Sequence, residues 1–481
     1  MKSIFIFRRD LRLEDNLGLL KALEESDEVL PIFIFTPEQV SKNKYKSSNA
    51  IQFMVECLSE LDEELDKHNS SLNYFYGSPE IIIENLIKSY KPDKIYFNRD
   101  YTPYSNKRDN EIDKIANKHN VETIITEDAL LLPVEFIKSD KDTPYTIFGF
   151  FNKRFLKNIK EVPRPISLSK NLSKNFISNN AISKTKFINK PLSTKDFKKH
   201  VIYQENPDVL VKGGRSHGLQ IIKPSNIKKF KDYAKTRNDP SIPTTLLSAY
   251  NKFGPISIRE VFYSVYDNLS PQHMLLTQLV WRDFYYNLIH YHPHVFGNSF
   301  NPKYKNIDKH WEKDPNNTLL KKWETGQTGF PFVDAGMRQL NSVGWMHNRL
   351  RMVVANFLVK DLLLDWRKGE KYFARNLVDY DPAVNNGNWQ WNAGTGADPE
   401  RFGGPRIFNP WLQSEKSDPD AKYIKTWIPE LKNIPPKHLH QWYKYHSQYT
   451  KAKGTNKVDY PEPMVIHEEQ RDKAKKIYKK S

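Results

Sequence analysis

The first 130 residues alternate short apolar runs with helical segments, a rhythm that demands a parallel sheet covered by helices on both faces. The runs are Ile4–Phe7, Val29–Phe35, Leu72–Tyr76, Lys94–Phe97 and Thr123–Ile125. Between them lie the helical patterns Leu17–Glu25, Ile51–His68 and Glu80–Lys88, with another near Asn110–Lys118. Glycine is scarce in the intervening loops and no GxGxxG follows the first run, which disfavours a dinucleotide site of Rossmann type. From 131 to 205 the pattern dissolves into Lys, Ser, Asn and Pro, as expected of a long inter-domain connection packed over the surface or partly disordered. Beyond 206 the periodicity turns helical and stays so to about 449, with Leu350, Val353, Val354, Phe357 and Leu358 forming one apolar stripe. The tail, 450–481, is polar, and Arg471 to Lys480 holds six basic residues, so a mobile, solvated charge run is expected there. The expected fold class is α/β plus all-α: a Rossmann-like parallel-sheet domain (1–130), a linker (131–205), a helical domain (206–449) and a basic tail.

At 481 residues the chain exceeds what one hydrophobic core usually supports. Lys+Arg 74 against Asp+Glu 57 leaves a formal charge of +17, which favours a polyanionic partner, although a lysine-rich background gives the same total. The single cysteine, Cys57, excludes an intramolecular disulfide and any cysteine-clustered metal site, and it falls on the apolar side of a helix near Phe53 to Leu65. No metal-ligand spacing is visible. The N-terminus is too briefly apolar for a signal peptide and no run is long enough to span a bilayer. A soluble, intracellular monomer in a reducing compartment is the expectation, with no membrane partner.

Two stretches concentrate chemistry. Gly344 to Met352 carries two arginines, an amide and two thioethers; Asp379 to Trp391 carries two carboxylates, three Asn, one Gln and two indoles. A plain core would have to satisfy all those polar groups for no gain, whereas a flat redox-active ligand beside a polyanion uses them. Asn348, Arg351 and Met352 lie near one helix face by their spacing. An arginine beside a cavity needs a carboxylate, and Asp379 or Asp381 can supply it; a structural clamp between helices answers the same need. Asn385 offers an amide that can meet a ring nitrogen without imposing charge, though Asn-Asn-Gly is also a common turn. Thr244-Thr245-Leu246-Leu247-Ser248 precedes a helix, with Tyr233 upstream and Arg282 downstream, and can present hydroxyls and N–H groups to an anion or simply cap the helix. Trp389, Trp366 and Trp311 suit an electron-hopping chain, and Trp281 and Trp391 suit stacked bases; buried indoles also pack with no such role.

Taken together, these pieces resemble the cryptochrome/photolyase family. The likeness runs from Phe7-Arg8-Arg9-Asp10-Leu11-Arg12 through Arg99-Asp100-Tyr101-Thr102-Pro103-Tyr104, Thr244–Tyr250, Trp281-Arg282-Asp283-Phe284 and Thr328-Gly329-Phe330-Pro331, then the two stretches above, and closes on Arg406-Ile407-Phe408-Asn409-Pro410 with Gln413. It implies an N-terminal antenna domain and a C-terminal helical domain holding one bent FAD. Carried over by position, Tyr233, Thr244, Thr245, Leu246, Leu247 and Ser248 would hold the diphosphate and ribityl region, assisted by Arg282. Arg351 would pair with Asp379 beside the isoalloxazine, Asp381 would bracket the flavin and adenine edges, and Asn385 would face flavin N5. Asn348 and Met352, with Asn385, resemble the class I enzymes that repair cyclobutane pyrimidine dimers by electron transfer from excited reduced FAD. On that pattern Trp281 and Trp391 would flank a flipped-out dimer in UV-damaged DNA, Asn348, Arg349 and Met352 would contact it, and Gln413 would lie at the DNA surface.

The chain departs from that pattern at Gln278, where such enzymes usually place Glu to bond the dimer. Gln keeps one donor and one acceptor but loses the ionisable group, and it is also usual in (6-4) repair enzymes. Ala249 stands in place of a proline, the segment 398–405 is lengthened, and Trp311 lies further upstream of Trp323 than the pattern has it. A blue-light photoreceptor and a (6-4) repair enzyme are the alternatives. The antenna pigment, a folate, a deazaflavin or a second flavin, is left open.

Overall fold

The computed structural model describes residues 1–41, 43–397, 406–451 and 457–480. The lengthened segment at 398–405 lies outside them.

The near-continuous apolar runs of the N-terminal region become strands because both faces of a parallel sheet are covered. They are β1 (Lys2–Phe7), β2 (Glu28–Phe35), β3 (Asn73–Tyr76), β4 (Lys94–Asn98) and β5 (Glu122–Thr126). All pair in parallel in the order β3-β2-β1-β4-β5. In register, Ile6 lies against Ile32 on one side and Phe97 on the other, all buried. The order reverses between β1 and β4, which opens a crevice at their C-terminal ends. Polar residues lock that edge: the Asn98 side chain donates to Asn16 Oδ1 at 2.7 Å and to Asp10, and accepts from Gly18 N at 3.1 Å. A side chain at Gly18 would meet Asn98 Oδ1 at 2.5 Å, so only glycine allows this approach.

Two compact units emerge from the contacts: Met1–Asn206 with Val211–Lys231 and Thr245–Pro293, and Pro207–Leu210 with Asp232–Thr244 and His294–Ser481. This differs from the division expected at 130 and 205. The stretch 131–205 is not a separate linker but packs with the sheet through short helices such as Phe148–Lys157 and through Ile177 N bonded to Val29 O. The helices Ile258–Asn268 and Met274–Tyr291 also belong with the sheet. A buried ion network holds them: Arg259 bonds Asp15 and Asp128, Arg12 bonds Asp128, and Asp283 accepts from Leu131 N. Cys57 is a buried free thiol, its sulfur accepting from Gly214 N, and burial pushes its pKa up.

The second unit is built on helices Pro331–Val343, Asn348–Lys360, Trp366–Asn376 and Pro382–Ala393. The expected stripe Leu350, Val353, Val354, Phe357 and Leu358 is buried in one core with Trp323, Trp366, Phe373 and Trp389. The tail departs from the mobile charge run expected. His467–Lys480 is a helix that buries His467, Ala474 and Tyr478, with Tyr478 Oη donating to the Ala393 carbonyl, Lys360 Nζ 3.4 Å from its ring, and His467 Nδ1 at 2.6 Å from Asp361. No described helix is long and apolar enough to cross a membrane, and the described residues contain no metal-ligand cluster.

Candidate active site

Within the helical unit, two loops set the geometry. Gly344 closes the Pro331–Val343 helix at φ 66°, and its carbonyl accepts from Val378 N at 2.8 Å, which holds the start of the Asn348–Lys360 helix beside Asp379. His347 caps that helix, its Nδ1 accepting from Arg349 N at 3.1 Å. Burial, then the cations Arg351 and Arg349, bring the His347 pKa down to about 4, so the imidazole is neutral at ordinary pH.

Arg351 Nη2 donates to Asp379 Oδ2 at 2.8 Å and Arg351 Nε to the Met346 carbonyl at 2.8 Å. The Asp379 side chain is 1% exposed, yet its Oδ1 is buried with no hydrogen-bond partner. Asp381 acts on the backbone. Its Oδ1 caps Ala383 N at 2.9 Å and Val384 N at 3.2 Å, opening the Pro382–Ala393 helix with Pro382 in the first turn. Asn385 lies one turn in, and its Nδ2 donates to the Glu370 carbonyl at 3.1 Å, so the amide's other face is an acceptor oxygen. Asn386 Nδ2 donates to Glu370 Oε1 at 3.0 Å, and Gln390 Nε2 to Asn386 Oδ1 at 3.0 Å. Glu370 is buried, and desolvation pushes its pKa up to about 7. Sequence patterns did not single out Glu370 or His347 as site residues; the weak acidity of one and the neutrality of the other come from burial by other helices.

Asn348 and Met352 meet on one exposed face, Nδ2 to Sδ at 3.8 Å. Arg349 bonds Asn238 Oδ1 and reaches Gln413 Oε1 at 3.5 Å, so two of the expected DNA residues are neighbours. The Arg406 guanidinium lies 4.1 Å over the Trp391 ring.

Trp389 lies against the Trp366–Asn376 helix at Gly369, where a Cβ would come within 2.1 Å of its indole. Its ring contacts are Phe373 at 5.0 Å and Trp323 at 6.2 Å. Among the described residues Trp366 has no aromatic ring contact, and Trp311 contacts Tyr478 at 6.2 Å. The expected order Trp389, Trp366, Trp311 is therefore not a run of touching rings.

Within the sheet unit, Phe148 stacks on Trp281 at 3.5 Å and 6°, covering one indole face. Gln278 Nε2 returns to the Met274 carbonyl at 3.3 Å in its own helix. Arg282, expected at the phosphates, commits its guanidinium to the carbonyls of Ala129 (2.8 Å) and Asn251 (3.3 Å) and to Asp283 (3.0 Å). The Ser248–Phe253 helix starts without a side-chain cap, so capping is not what Thr245 and Ser248 supply; Leu246 before it has φ 56°, a left-handed conformation unusual for leucine. In the other unit, Tyr233 opens a short helix and burial raises the pKa of its phenol.

Residues 275–480 match the family described as FAD binding domain of DNA photolyase, and residues 3–167 match DNA photolyase. A deoxyribodipyrimidine photo-lyase of Buchnera aphidicola is 35% identical over 497 residues, covering 100% of this chain and 97% of that protein. The crystal structure of an archaeal photolyase from Sulfolobus tokodaii with two FAD molecules superimposes with a TM-score of 0.83 at 39% identity, covering 100% of both chains. A cryptochrome from Synechocystis gives 0.87 at 26% identity over 99% of each. With full-length relatives at this identity, the chain belongs to the DNA photolyase family.

Proposed function

We propose that this protein uses light absorbed by bound FAD to split cyclobutane pyrimidine dimers in UV-damaged DNA. The observation that carries the reading is Asp379: one oxygen held by Arg351, the other buried and bare. A desolvated acceptor without a donor is costly unless a ligand N–H or O–H fills the place, and an isoalloxazine or ribityl edge supplies one. FAD, when bound, supplies a photo-excitable one-electron donor; the protein positions it and holds developing charge. Arg351 balances the Asp379 charge and keeps the carboxylate aimed. Asn385, its donor committed to the Glu370 carbonyl, offers an acceptor to a protonated ring nitrogen. The uncapped start of the Ser248–Phe253 helix, with Thr245 and the left-handed Leu246, leaves N–H groups and hydroxyls that suit a diphosphate, and Tyr233 and Thr244 of the other unit are the residues that the family resemblance adds.

Arg349, Gln413, Asn348 and Met352 form the lesion-facing surface of the helical unit, with Trp391 as a base platform. On the Met274–Tyr291 helix of the sheet unit, the Trp281 ring suits stacking on a base and the Gln278 amide its hydrogen-bonding edge, and Phe148 backs the Trp281 indole. Flipping a dimer out takes little free energy because its pairing is already compromised. The test illuminates purified, reduced holoprotein with oligonucleotides carrying either a cyclobutane dimer or a (6-4) product and chromatographs the products. Loss of the dimer is expected. Loss of the (6-4) product alone favours the reading that Gln278 supports, and loss of neither leaves a photoreceptor.

A second pigment in the sheet unit also has support. At the crevice between β1 and β4, Arg8 Nη2 and Arg108 Nη2 are buried without hydrogen-bond partners, although Arg8 lies 2.8 Å from Asp109. Both guanidinium groups share the Asp109 carboxylate, Arg108 through Nε at 2.9 Å, and their remaining N–H donors suit the phosphate of a flavin antenna, in line with the two FAD molecules of the Sulfolobus structure. Mass spectrometry of the extracted chromophores, with more than one flavin per chain expected, tests it.

A further inference from the structure

We propose that photoreduction of the flavin draws electrons through a branch formed by Trp389, Trp323 and Tyr372. The proposal rests on the reading above that FAD lies at Asp379 and Asn385, with Trp389 one turn beyond Asn385 on the same face of the Pro382–Ala393 helix. Trp389 meets Trp323 at 6.2 Å between ring centroids, edge to face at 71°, and Trp323 meets Tyr372 at 5.6 Å and 65°. These are consecutive ring contacts, whereas Trp366 touches no aromatic ring among the described residues. Trp389 and Trp323 are buried, and Tyr372 is half-buried at the far end.

The chemistry at each position fits a one-way relay. Trp323 Nε1 donates to the Val354 carbonyl at 3.0 Å. That neutral acceptor cannot take the indole proton, so an oxidised Trp323 stays a radical cation and keeps its full oxidising strength. Tyr372 Oη donates to the exposed Asn341 Oδ1 at 2.7 Å and to the Glu324 carbonyl at 3.0 Å, neutral oxygens that orient the phenol; unlike the fully buried Trp323, the half-buried Tyr372 gives its proton on oxidation to solvent water. Burial, then the Glu324 carboxylate, raises the Tyr372 pKa to about 12, so the phenol is protonated at rest and releases its proton only on oxidation. The same carboxylate stabilises positive charge at this end of the branch.

The electrons balance. Trp389 gives one electron to the photo-excited cofactor, Trp323 refills Trp389, and Tyr372 refills Trp323. Tyr372 loses one electron and its phenolic proton, becoming a neutral tyrosyl radical, and an external thiol reductant returns the electron.

Full-length oxidised holoprotein, without DNA, is flashed with blue light, and the radicals are followed by transient absorption and electron paramagnetic resonance. The parent should give a tyrosyl signal. Tyr372→Phe, which keeps the ring, should remove it and shorten the life of the charge-separated state. Trp323→Phe should remove more than half of the long-lived yield, with flavin content and thermal melting as folding controls, and Trp366→Phe should keep more than half. A parent-like yield in Trp323→Phe, a tyrosyl signal surviving in Tyr372→Phe, or total loss in Trp366→Phe overturns the branch. A parent-like yield in Trp389→Phe instead removes the placement of Trp389 on which the branch stands.

Discussion

At the scale of single residues, the site depends on which polar atoms are left without partners. Asp379→Asn leaves Arg351 facing a neutral amide and removes the charged acceptor. Breaking a buried pair costs about 3 kcal/mol, so flavin affinity should fall roughly a hundredfold, read from the flavin content of the purified protein. An Asn variant that retains full flavin would show that this carboxylate is only a clamp. Gln278→Glu restores a charged acceptor on its helix; charge-assisted hydrogen bonds are roughly twice as strong as neutral ones, so dimer-repair yield should rise, and an unchanged yield would deny Gln278 a limiting role. Glu370 makes a pH prediction. Its folded pKa, about 7, lies above the ordinary 4.5, so its neutral form is the one that suits the fold. The associated stability is present below about pH 4.5 and is lost as pH rises to about 7, a change of about 3 kcal/mol. Glu370→Gln keeps the acceptor for Asn386 and should flatten that slope in denaturant melts run from pH 4 to 8.

At the scale of elements, most of the helices and strands were legible. The Leu17–Glu25 helix and all five strands stand within two residues of the expected bounds. The helix expected near Asn110 starts earlier, at Pro103, because Thr102 caps Ser105 N and proline fits the first turn. The tail hides its helix because charges dominate it: His467, Ala474 and Tyr478 are spaced seven and four apart, which puts them on one helical face, a stripe too sparse to stand out among lysines. Tyr478 anchors that face through the Ala393 carbonyl, the Lys360 ammonium and the rings of Tyr304 and Trp311. Tyr478→Ala should therefore destabilise the helical unit by about 3 kcal/mol, in the range for a large buried side chain, and lower its melting temperature. A melting temperature equal to the parent's would return the tail to a solvated role.

For the whole molecule, the +17 formal charge belongs to DNA binding that is tolerant of sequence and sensitive to salt. Affinity for dimer-containing duplex should fall at least about tenfold between 50 and 200 mM salt, as counterion release predicts for several phosphate contacts. A flat titration would detach the charge from function. The sequence by itself determined the parallel sheet, the helical region and the ordered polar stretches that carry Arg351, Asp379 and Asn385. Those follow from residue spacing, and the backbone periods of strand and helix are local properties. Tertiary structure alone decided that the helices up to Pro293 pack with the sheet, that Trp323 rather than Trp366 touches Trp389, and that Asp379 keeps one bare oxygen while Glu370 is a weak acid. Each of these depends on burial and on neighbours distant along the chain, and desolvation acts only once those neighbours have excluded water.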